Sequence, residues 1–361
     1  MRIAIYLPNL KIGGAEAVSV NLANQLVQRK YDIDILLANN EVDKKWNIDS
    51  RINIYAFNSN RLLNSIIPFA NYLKKSRPEY VIVAMWPLTI MALMSRFISL
   101  SRVKLIFAEH TTWSIDELTQ SRIGRFIVYK SMFLFYRFAS KVVCVSRGSM
   151  NDLIQSTCLP AAFFKTIYNP VLPSDSDVIP NETYPKWSEG EHIKILAVGN
   201  LKPIKSYHIL IQAMDILLKK IDAKLLIIGD GPLYADLSRL IEEKGIANHV
   251  ILAGYISNTE YFYKKANVFV LSSSGEGLPT VLIEALYYGV KIVSTDCNYG
   301  PREILDDGTY GMLVPINSPN ALCDAIIKSV NSKNSGNRLL QKRAEYFSPD
   351  NTVSFYESLF L

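Results

Sequence analysis

The segment of the chain with the clearest chemical signal is a Gly- and Glu-rich loop between an apolar run and a helical pattern. Residues 273–285 read SSGEGLPTVLIEA and follow the apolar run Val268–Leu271. The glycines let a ligand approach the backbone, and the amino end of the next helix attracts a diphosphate. Glu276 in the loop can accept hydrogen bonds from sugar hydroxyls, and Glu284, two helical turns on, from a ribose. The alternative is a strand–loop–helix corner with a capping glutamate.

This segment resembles the Glu-x7-Glu signature of glycosyltransferase family 4, the large retaining family of GT-B fold. The resemblance covers nearly the whole chain and is densest from Ala197 to Leu313. It implies that Glu276 contacts the donor sugar and takes part in catalysis, and that Glu284 contacts the ribose. It also implies that the backbone amides of Gly277 and Leu278 bind phosphate.

A second loop, VGNLKPIKS from residue 198, follows the first apolar run of the second half. In the family, this loop supplies an Arg and a Lys that hold the two donor phosphates and stabilise charge on the departing nucleotide. The resemblance assigns Gly199, Asn200 and Lys205 to the donor site, with Lys205 catalytic. Asn200 stands where the family has Arg, so Lys202 or Arg302 are alternative sources of the missing charge. For Lys205, the alternative is a solvated lysine ahead of a helix.

A Gly-Gly pair follows the first apolar run of the chain. Gly13 and Gly14 permit a tight turn and close ligand approach at a helix amino end. The surrounding residues are neither a GxGxxG dinucleotide motif nor a phosphate-binding P-loop, because no Gly-Lys-Ser/Thr follows. The resemblance places both glycines beside the acceptor and Gly14 beside the donor as well. A simple strand-to-helix turn is the alternative.

Two further strand ends carry candidate residues. His110 follows the apolar run 104–108, where ligands of doubly wound folds bind, and the resemblance implies a catalytic His that contacts the donor sugar. A histidine bonded to loop backbone is the alternative, and Glu109 is interpreted as structural. Asn298 and Arg302, in the run DCNYGPREIL, are further donor-site candidates, although turn formation and capping explain this run equally well.

No metal or other cofactor is expected. The four cysteines form no CxxC pair, and no His/Cys cluster has metal-ligand spacing. Two Asp-x-Asp matches, Asp32–Asp34 and Asp175–Asp177, are interpreted as chance, because neither lies where a diphosphate is expected. A lysine and a helix amino end can neutralise the phosphates without a metal.

Short apolar runs alternate with amphipathic stretches, which predicts an α/β protein with parallel sheets. The stretch 171–192 breaks this alternation with three prolines among polar residues, so it is interpreted as a linker. We therefore expect a GT-B architecture, with two Rossmann-like doubly wound domains that face each other across a cleft. The predicted acceptor domain covers residues 1–172 and the nucleotide-sugar domain 173–340. The resemblance implies that residues 341–361 form a helix packing back on the first domain.

Charge is unevenly distributed, with a net +10 in residues 1–172 and −4 in residues 173–361. Between Glu117 and Asp152 the chain has no acidic residue, and its basic residues alternate with aromatic ones. A second basic cluster surrounds residues 66–69. These patterns favour a surface that binds an anionic bilayer, with a core helix as the alternative. Nucleic acid is not expected, because no recognition motif is present. Without an export signal or a spanning segment, we expect a peripheral protein at the inner face of the cytoplasmic membrane.

The combined prediction is a retaining hexosyltransferase of cell-surface polysaccharide synthesis, similar to bacterial O-antigen, capsule and exopolysaccharide enzymes. It moves a hexose or N-acetylhexosamine from a nucleoside-diphosphate sugar to a lipid-linked saccharide. The resemblance favours a UDP-linked donor, either UDP-N-acetylgalactosamine or UDP-galactose. A UDP-sugar 2-epimerase of the same fold and a non-catalytic sugar-nucleotide-binding protein are the alternatives.

Overall fold

The computed structural model describes residues 1–11, 13–43, 46–110, 113, 117–171, 184–332 and 337–360. The chain divides into two compact units. Unit 1 combines Met1–Leu172 with Ser348–Leu361, and unit 2 is Pro173–Phe347. Each unit has its own sheet and its own hydrophobic core.

The described part of unit 1 contains a seven-stranded parallel sheet in the order β3-β2-β1-β4-β5-β6-β7. Its central strands are continuous apolar runs, as expected for a parallel sheet covered on both faces. The strands are β1 (Arg2–Leu7), β2 (Asp32–Leu37), β3 (Asn53–Ala56), β4 (Tyr80–Ala84), β5 (Lys104–Glu109), β6 (Lys141–Cys144) and β7 (Phe164–Thr166).

Helices cover both faces of this sheet. They are α1 (Gly14–Gln28), α2 (Ile66–Ser76), α3 (Leu88–Ser99), α4 (Glu117–Gln120), α5 (Arg122–Phe135) and α6 (Arg147–Thr157). The side chains of α2, α3, α5 and α6 share one core cluster, whereas those of α1 belong to a second cluster. Helices α2, α3 and α5 therefore form one layer, and α1 lies on the opposite face.

Unit 2 contains a six-stranded parallel sheet in the order β10-β9-β8-β11-β12-β13, counted over its described residues. The strands are β8 (Ile193–Val198), β9 (Ala223–Ile228), β10 (Val250–Leu252), β11 (Val268–Leu271), β12 (Lys291–Thr295) and β13 (Met312–Val314). The helices are α7 (Pro185–Ser188), α8 (Tyr207–Leu217), α9 (Tyr234–Glu243), α10 (Glu260–Lys265), α11 (Thr280–Tyr287), α12 (Pro301–Ile304), α13 (Pro319–Asn331) and α14 (Asn337–Glu345).

The strand order of each sheet reverses once near its centre. In unit 1 the reversal lies between β1 and β4, and in unit 2 between β8 and β11. Ligands of open α/β sheets bind outside the carboxyl ends of the strands at such a point. The loops after β1, β8 and β11, which carry most of the predicted site residues, all leave carboxyl ends at these reversals.

The carboxyl-terminal segment separates at Phe347, not at residue 340 as the sequence predicted. Helix α14 stays with unit 2 because Arg343 donates hydrogen bonds to the carbonyls of Glu303 (2.6 Å) and Ile304 (2.9 Å). The last helix, α15 (Pro349–Glu357), packs on α1 of unit 1. There Arg29 pairs with Glu357 at 2.7 Å.

Candidate active site

The loop after β8 follows the backbone of the neighbouring loop after β9 closely. Gly199 has a φ of +154°, and its carbonyl accepts a hydrogen bond from the Tyr207 hydroxyl at 3.1 Å. A Cβ on Gly229 would lie 2.0 Å from the Gly199 carbonyl oxygen, and one on Gly231 would lie 2.8 Å from Leu201 backbone atoms. Both positions therefore require glycine. Neither glycine belongs to a motif that indicates a site in the sequence, although their GDGP context follows an apolar run as the other site loops do.

Lys205 ends a single 3-10 turn, Pro203–Lys205, and is held there by the loop after β11. The Ser272 hydroxyl donates to the Lys205 carbonyl at 2.8 Å, and the Ser274 amide donates to the Ile204 carbonyl at 2.8 Å. These backbone contacts join the loop after β8 to the loop after β11, although the two are distant in the sequence. They bring the Lys205 side chain to the glutamate of the second loop.

Lys205 and Glu276 form an ion pair, with 2.7 Å between Nζ and Oε1. The Ser273 hydroxyl donates to the same carboxylate oxygen at 2.5 Å. The exposed fractions of the two side chains are 21% and 10%. A charge-assisted pair in such a partly desolvated setting is stronger than a surface pair. An ammonium and a carboxylate are thus fixed side by side at the carboxyl edge of the sheet.

The loop after β12 holds the Glu276 backbone in place. The Glu276 amide donates to the Asn298 carbonyl at 3.0 Å, and the Tyr299 amide donates to the Glu276 carbonyl at 3.0 Å. Gly300, with a φ of +92°, packs so closely that a Cβ there would lie 2.6 Å from Pro279 Cδ. Asn298 therefore contributes through its backbone carbonyl, which positions the Glu276 loop.

The structure gives Arg302 carboxylate partners of its own. Its guanidinium pairs with Asp296, and with Asp307 at 3.2 Å. Two carboxylates therefore already balance its charge. Asn200 and Lys202 are exposed, and within the described residues Lys202 forms no ion pair. Lys202 is accordingly the better candidate for the charge that Asn200 lacks.

Glu284 lies on α11, in the second turn after the Gly-rich loop. Burial raises the pKa of its carboxyl above the ordinary value, and a hydrogen bond from Tyr263 offsets part of that rise. Gly277 and Leu278 precede the helix, and both are half-buried. Because α11 begins at Thr280, the amides of this loop lie at the positive end of the helix dipole.

In unit 1, helix α1 begins at Gly14, and Gly13 is its N-cap residue. A Cβ on Gly14 would meet no atom within 4 Å, so there is open space above this first helical turn. The three nearest atoms to a Cβ on Gly13 would belong to the flexible carboxylate of Glu16. The pair thus leaves the amino end of α1 accessible from solvent.

His110 follows β5, and its Nδ1 is buried without a hydrogen-bond partner among the described residues. Burial lowers the pKa of the imidazole to about 4, against a smaller opposing effect of a hydrogen bond with Asn169. At neutral pH the ring is therefore uncharged, and Nδ1 is available to a polar group such as a hydroxyl.

Glu109 is buried beside the rings of Trp113 and Tyr136. Trp113 Nε1 donates to its carboxyl at 3.0 Å, and the Tyr136 hydroxyl donates to the other oxygen. Burial raises the pKa of this carboxyl to about 7. Both its oxygens are engaged within the core, which agrees with the structural interpretation of Glu109.

The described residues contain no group of three or more His, Cys, Asp or Glu side chains that could hold a metal ion. Asp32 pairs with Arg2, and Asp34 is buried and accepts hydrogen bonds from Tyr72 and Asn53. Both aspartates of the first Asp-x-Asp match therefore have structural partners around strand β2. The second, Asp175–Asp177, lies outside the described residues.

Comparison with known proteins identifies the fold and matches both halves of the chain to glycosyltransferase models. The "Glycosyltransferase Family 4" model matches residues 12–174, and the "Glycosyl transferases group 1" model matches residues 182–346. Two doubly wound units, each with its own parallel sheet, are the architecture of the GT-B class of sugar transferases. Within that class, the first half of the chain matches a family 4 glycosyltransferase domain and the second half matches a group 1 glycosyltransferase domain.

Two similar proteins come from Campylobacter jejuni. The N-acetylgalactosamine-N,N'-diacetylbacillosaminyl-diphospho-undecaprenol 4-alpha-N-acetylgalactosaminyltransferase is 29% identical over 250 residues, which cover 68% of this chain and 63% of that protein. A GalNAc-alpha-(1->4)-GalNAc-alpha-(1->3)-diNAcBac-PP-undecaprenol alpha-1,4-N-acetyl-D-galactosaminyltransferase is 27% identical over 345 residues, 92% of this chain and 90% of that protein. Among solved structures, Anabaena HepE in complex with UDP and glucose has a TM-score of 0.79 at 18% identity, covering 99% of this chain and 98% of that one.

Proposed function

We propose that this protein transfers a hexose or N-acetylhexosamine from a UDP-linked donor to a lipid-linked saccharide, with retention of the anomeric configuration. The observation that carries the proposal is the Lys205–Glu276 pair, fixed by two interlocked loops beside the amino end of α11. An ammonium and free helix amides suit a diphosphate, and an adjacent carboxylate suits sugar hydroxyls.

The reaction needs stabilisation of the departing nucleotide. As the bond between the anomeric carbon and the diphosphate oxygen breaks, negative charge develops on the phosphate. The Lys205 ammonium and the amides of Gly277 and Leu278 stabilise this charge. Glu276 binds the sugar hydroxyls and orients the ring. Glu284 binds the ribose, and the neutral His110 ring bonds a hydroxyl of the donor sugar.

Without a covalent sugar–protein intermediate, retention requires the acceptor hydroxyl to attack the face from which the diphosphate leaves. In the proposed step, the acceptor oxygen bonds to the anomeric carbon on that face, and its proton passes to the departing phosphate oxygen. Neither a covalent sugar–protein intermediate nor a metal ion takes part. Because Lys205 and a helix amino end supply the positive charge, we expect transfer to continue in the presence of a chelator.

The choice of substrates follows the relatives. The names of both Campylobacter relatives specify N-acetylgalactosamine transfer to undecaprenol-linked saccharides, and the HepE structure contains UDP. We therefore propose UDP-N-acetylgalactosamine or UDP-galactose as donor, and a polyprenyl-diphosphate-linked saccharide as acceptor. The reaction then belongs to the assembly of a cell-surface polysaccharide.

A lipid-linked acceptor requires a protein that reaches the bilayer surface. No helix among the described residues is long and apolar enough to cross a membrane. Helix α5 buries only Val128 and Met132, whereas Ile123, Phe126 and Ile127 are 75%, 68% and 52% exposed. Exposed apolar residues beside basic ones are typical of a helix that lies in the bilayer interface. We propose that this helix attaches the protein to the inner face of the cytoplasmic membrane.

A panel of UDP- and GDP-sugars tests the proposal, with and without a polyprenyl-diphosphate-linked saccharide and with EDTA throughout. UDP release that depends on the acceptor is the expected result. Interconversion of the sugar without acceptor would identify an epimerase, and donor binding without turnover would identify a binding protein. Either of those outcomes, or loss of transfer in EDTA, would contradict the proposal.

A further inference from the structure

Unit 1 contains a cavity of about 750 Å³ at the amino ends of β4 and β5, at the edge of its own sheet opposite His110. Its wall includes Tyr80 and Lys104, the first residues of these strands. His110 follows the far end of β5. Six strand residues span about 17 Å, so the cavity is separate from the site at the carboxyl edge.

Among the described residues that line this cavity, four side chains are basic and one is a carboxylate, Glu79; the basic ones are Lys74, Arg77, Arg102 and Lys104. Among the described residues, none of the four forms an ion pair. The carboxyl ends of α2 and α3 also lie at the cavity, and each carries about half a negative elementary charge. Those two ends and Glu79 together balance only about two of the four cations, so a positive surplus remains for an anion.

The rest of the wall is apolar and aromatic. Lys104 donates a hydrogen bond to the Tyr80 hydroxyl at 2.8 Å, so its ammonium lies beside the hydroxyl edge of that ring. The centroids of the Phe360 and Tyr80 rings lie 5.0 Å apart. A cavity that combines cations with aromatic walls suits a ligand with one charged group and an apolar part.

One rim of the cavity continues into an exposed apolar surface. Leu100, which lines the cavity and ends α3 with a φ of +53°, is 89% exposed. Phe97 and Ile98 on the preceding turn are 53% and 48% exposed. Phe97 contacts the ring of Phe138, which follows α5, at 5.7 Å. The apolar surface thus extends from the cavity rim towards the helix proposed to lie on the bilayer.

We infer that this cavity binds the phosphate group of an anionic membrane lipid, with the acyl chains against Leu100, Phe97 and Ile98. The inference deepens the proposed membrane attachment by adding a specific headgroup site to a general surface. It does not depend on sugar transfer. Free phosphate shares the charged group but would leave the apolar rim uncovered, so the lipid is the occupant that matches both features.

The test compares the double variant Lys74→Gln/Arg102→Gln with the matched control Lys30→Gln/Lys165→Gln, which removes two exposed cations of unit 1 away from the cavity. Vesicle flotation uses phosphatidylcholine with phosphatidic acid, and vesicles brought to the same surface potential with oleate. A cation near an anionic surface contributes about fivefold in affinity. We therefore expect about 25-fold weaker binding to phosphatidic acid for the cavity variant, a smaller loss on oleate, and no loss for the control.

A second arm uses soluble short-chain phosphatidic acid and inorganic phosphate in calorimetry with the full chain. The inference is supported if the wild-type protein binds the short-chain lipid and the cavity variant does not. If the wild-type protein binds this lipid but no vesicles, the inference still holds, and only the proposed attachment by α5 is contradicted. Three results would overturn the inference. The control variant could lose as much vesicle binding as the cavity variant, or the protein could bind inorganic phosphate as tightly as the lipid. The third is a cavity variant that binds vesicles and lipid as tightly as the wild-type protein does.

Discussion

The Lys205–Glu276 pair places opposite charges 2.7 Å apart. The proposed donor has a phosphate, which binds a cation, and sugar hydroxyls, which donate hydrogen bonds to a carboxylate. Without donor, each side chain satisfies the other. With donor, the ammonium can turn to the phosphate while Ser273 still donates to the carboxylate. Such an exchange keeps both groups bonded throughout, which limits the desolvation cost of an unpaired buried charge.

Lys205→Ala is expected to lower kcat by about 10²–10³-fold, because a donor aimed at charge that develops in the transition state is lost. Release of UDP with saturating acceptor measures this effect. Lys328→Ala serves as the control, because that exposed lysine on α13 of unit 2 forms no ion pair among the described residues, and its turnover should match that of the wild type. Near wild-type turnover in a folded Lys205→Ala protein would contradict the catalytic role of Lys205.

Glu284 should make donor binding depend on pH. Since burial raises the pKa of its carboxyl, this group takes up a proton at a higher pH than an ordinary glutamate does. The ionised form accepts hydrogen bonds from the ribose, so donor KM should rise as pH falls into the weakly acidic range. Glu284→Gln should raise KM at neutral pH and flatten this dependence. An unchanged KM profile in the variant would contradict the ribose role.

At the scale of elements, the site depends on loops that leave parallel strands at the same edge. Strand–loop–helix patterns predicted these loops because apolar runs end just before them. The patterns did not predict β7 and β13, which have three residues each, or α10, which has six, because such lengths show no clear period. The pairing of Arg302 with Asp296 and Asp307 also needed the turn geometry that only the structure provides.

The glycine contact between the loops after β8 and β9 is a prediction at this scale. Gly229→Ala should displace the Gly199 loop, because its Cβ would lie 2.0 Å from a backbone oxygen at a φ of +147°. We expect weaker donor binding and a lower Tm, with strain of about 1–3 kcal/mol or more.

Gly245→Ala is the matched control for this prediction. Gly245 has a φ of +67°, but a Cβ there would meet no atom within 4 Å. It should therefore lower the Tm modestly and leave donor binding intact. If the two variants bind donor equally well, the contact between the two loops has no part in forming the site.

For the whole molecule, the proposed contact of unit 1 with a bilayer involves the layer of α2, α3 and α5. Arg122→Glu/Lys130→Glu should weaken flotation with anionic vesicles by about 25-fold or more, because each cation near the surface contributes about fivefold. Ile123→Ser/Phe126→Ser should weaken binding to neutral and anionic vesicles alike. Arg125 is left unchanged, because its Nε donates to the Thr119 carbonyl at 3.0 Å.

Added salt should weaken wild-type vesicle binding and should have less effect on the charge variant. Lys30→Glu/Lys165→Glu, with the same change of charge elsewhere in unit 1, should bind as wild type does. Failure of the wild-type protein to bind anionic vesicles at low salt would end the proposal of membrane attachment by α5.

The anomeric configuration of the product tests the central claim most directly. The purified protein is incubated with UDP-N-acetylgalactosamine, or with UDP-galactose if the donor panel favours it, and a polyprenyl-diphosphate-linked saccharide. The new linkage is then assigned by NMR. Both donors carry an α-linked sugar, so the account predicts an α-linked product that the Lys205→Ala variant does not form at a comparable rate. A β-linked product, or no transfer from any nucleotide sugar, would contradict it.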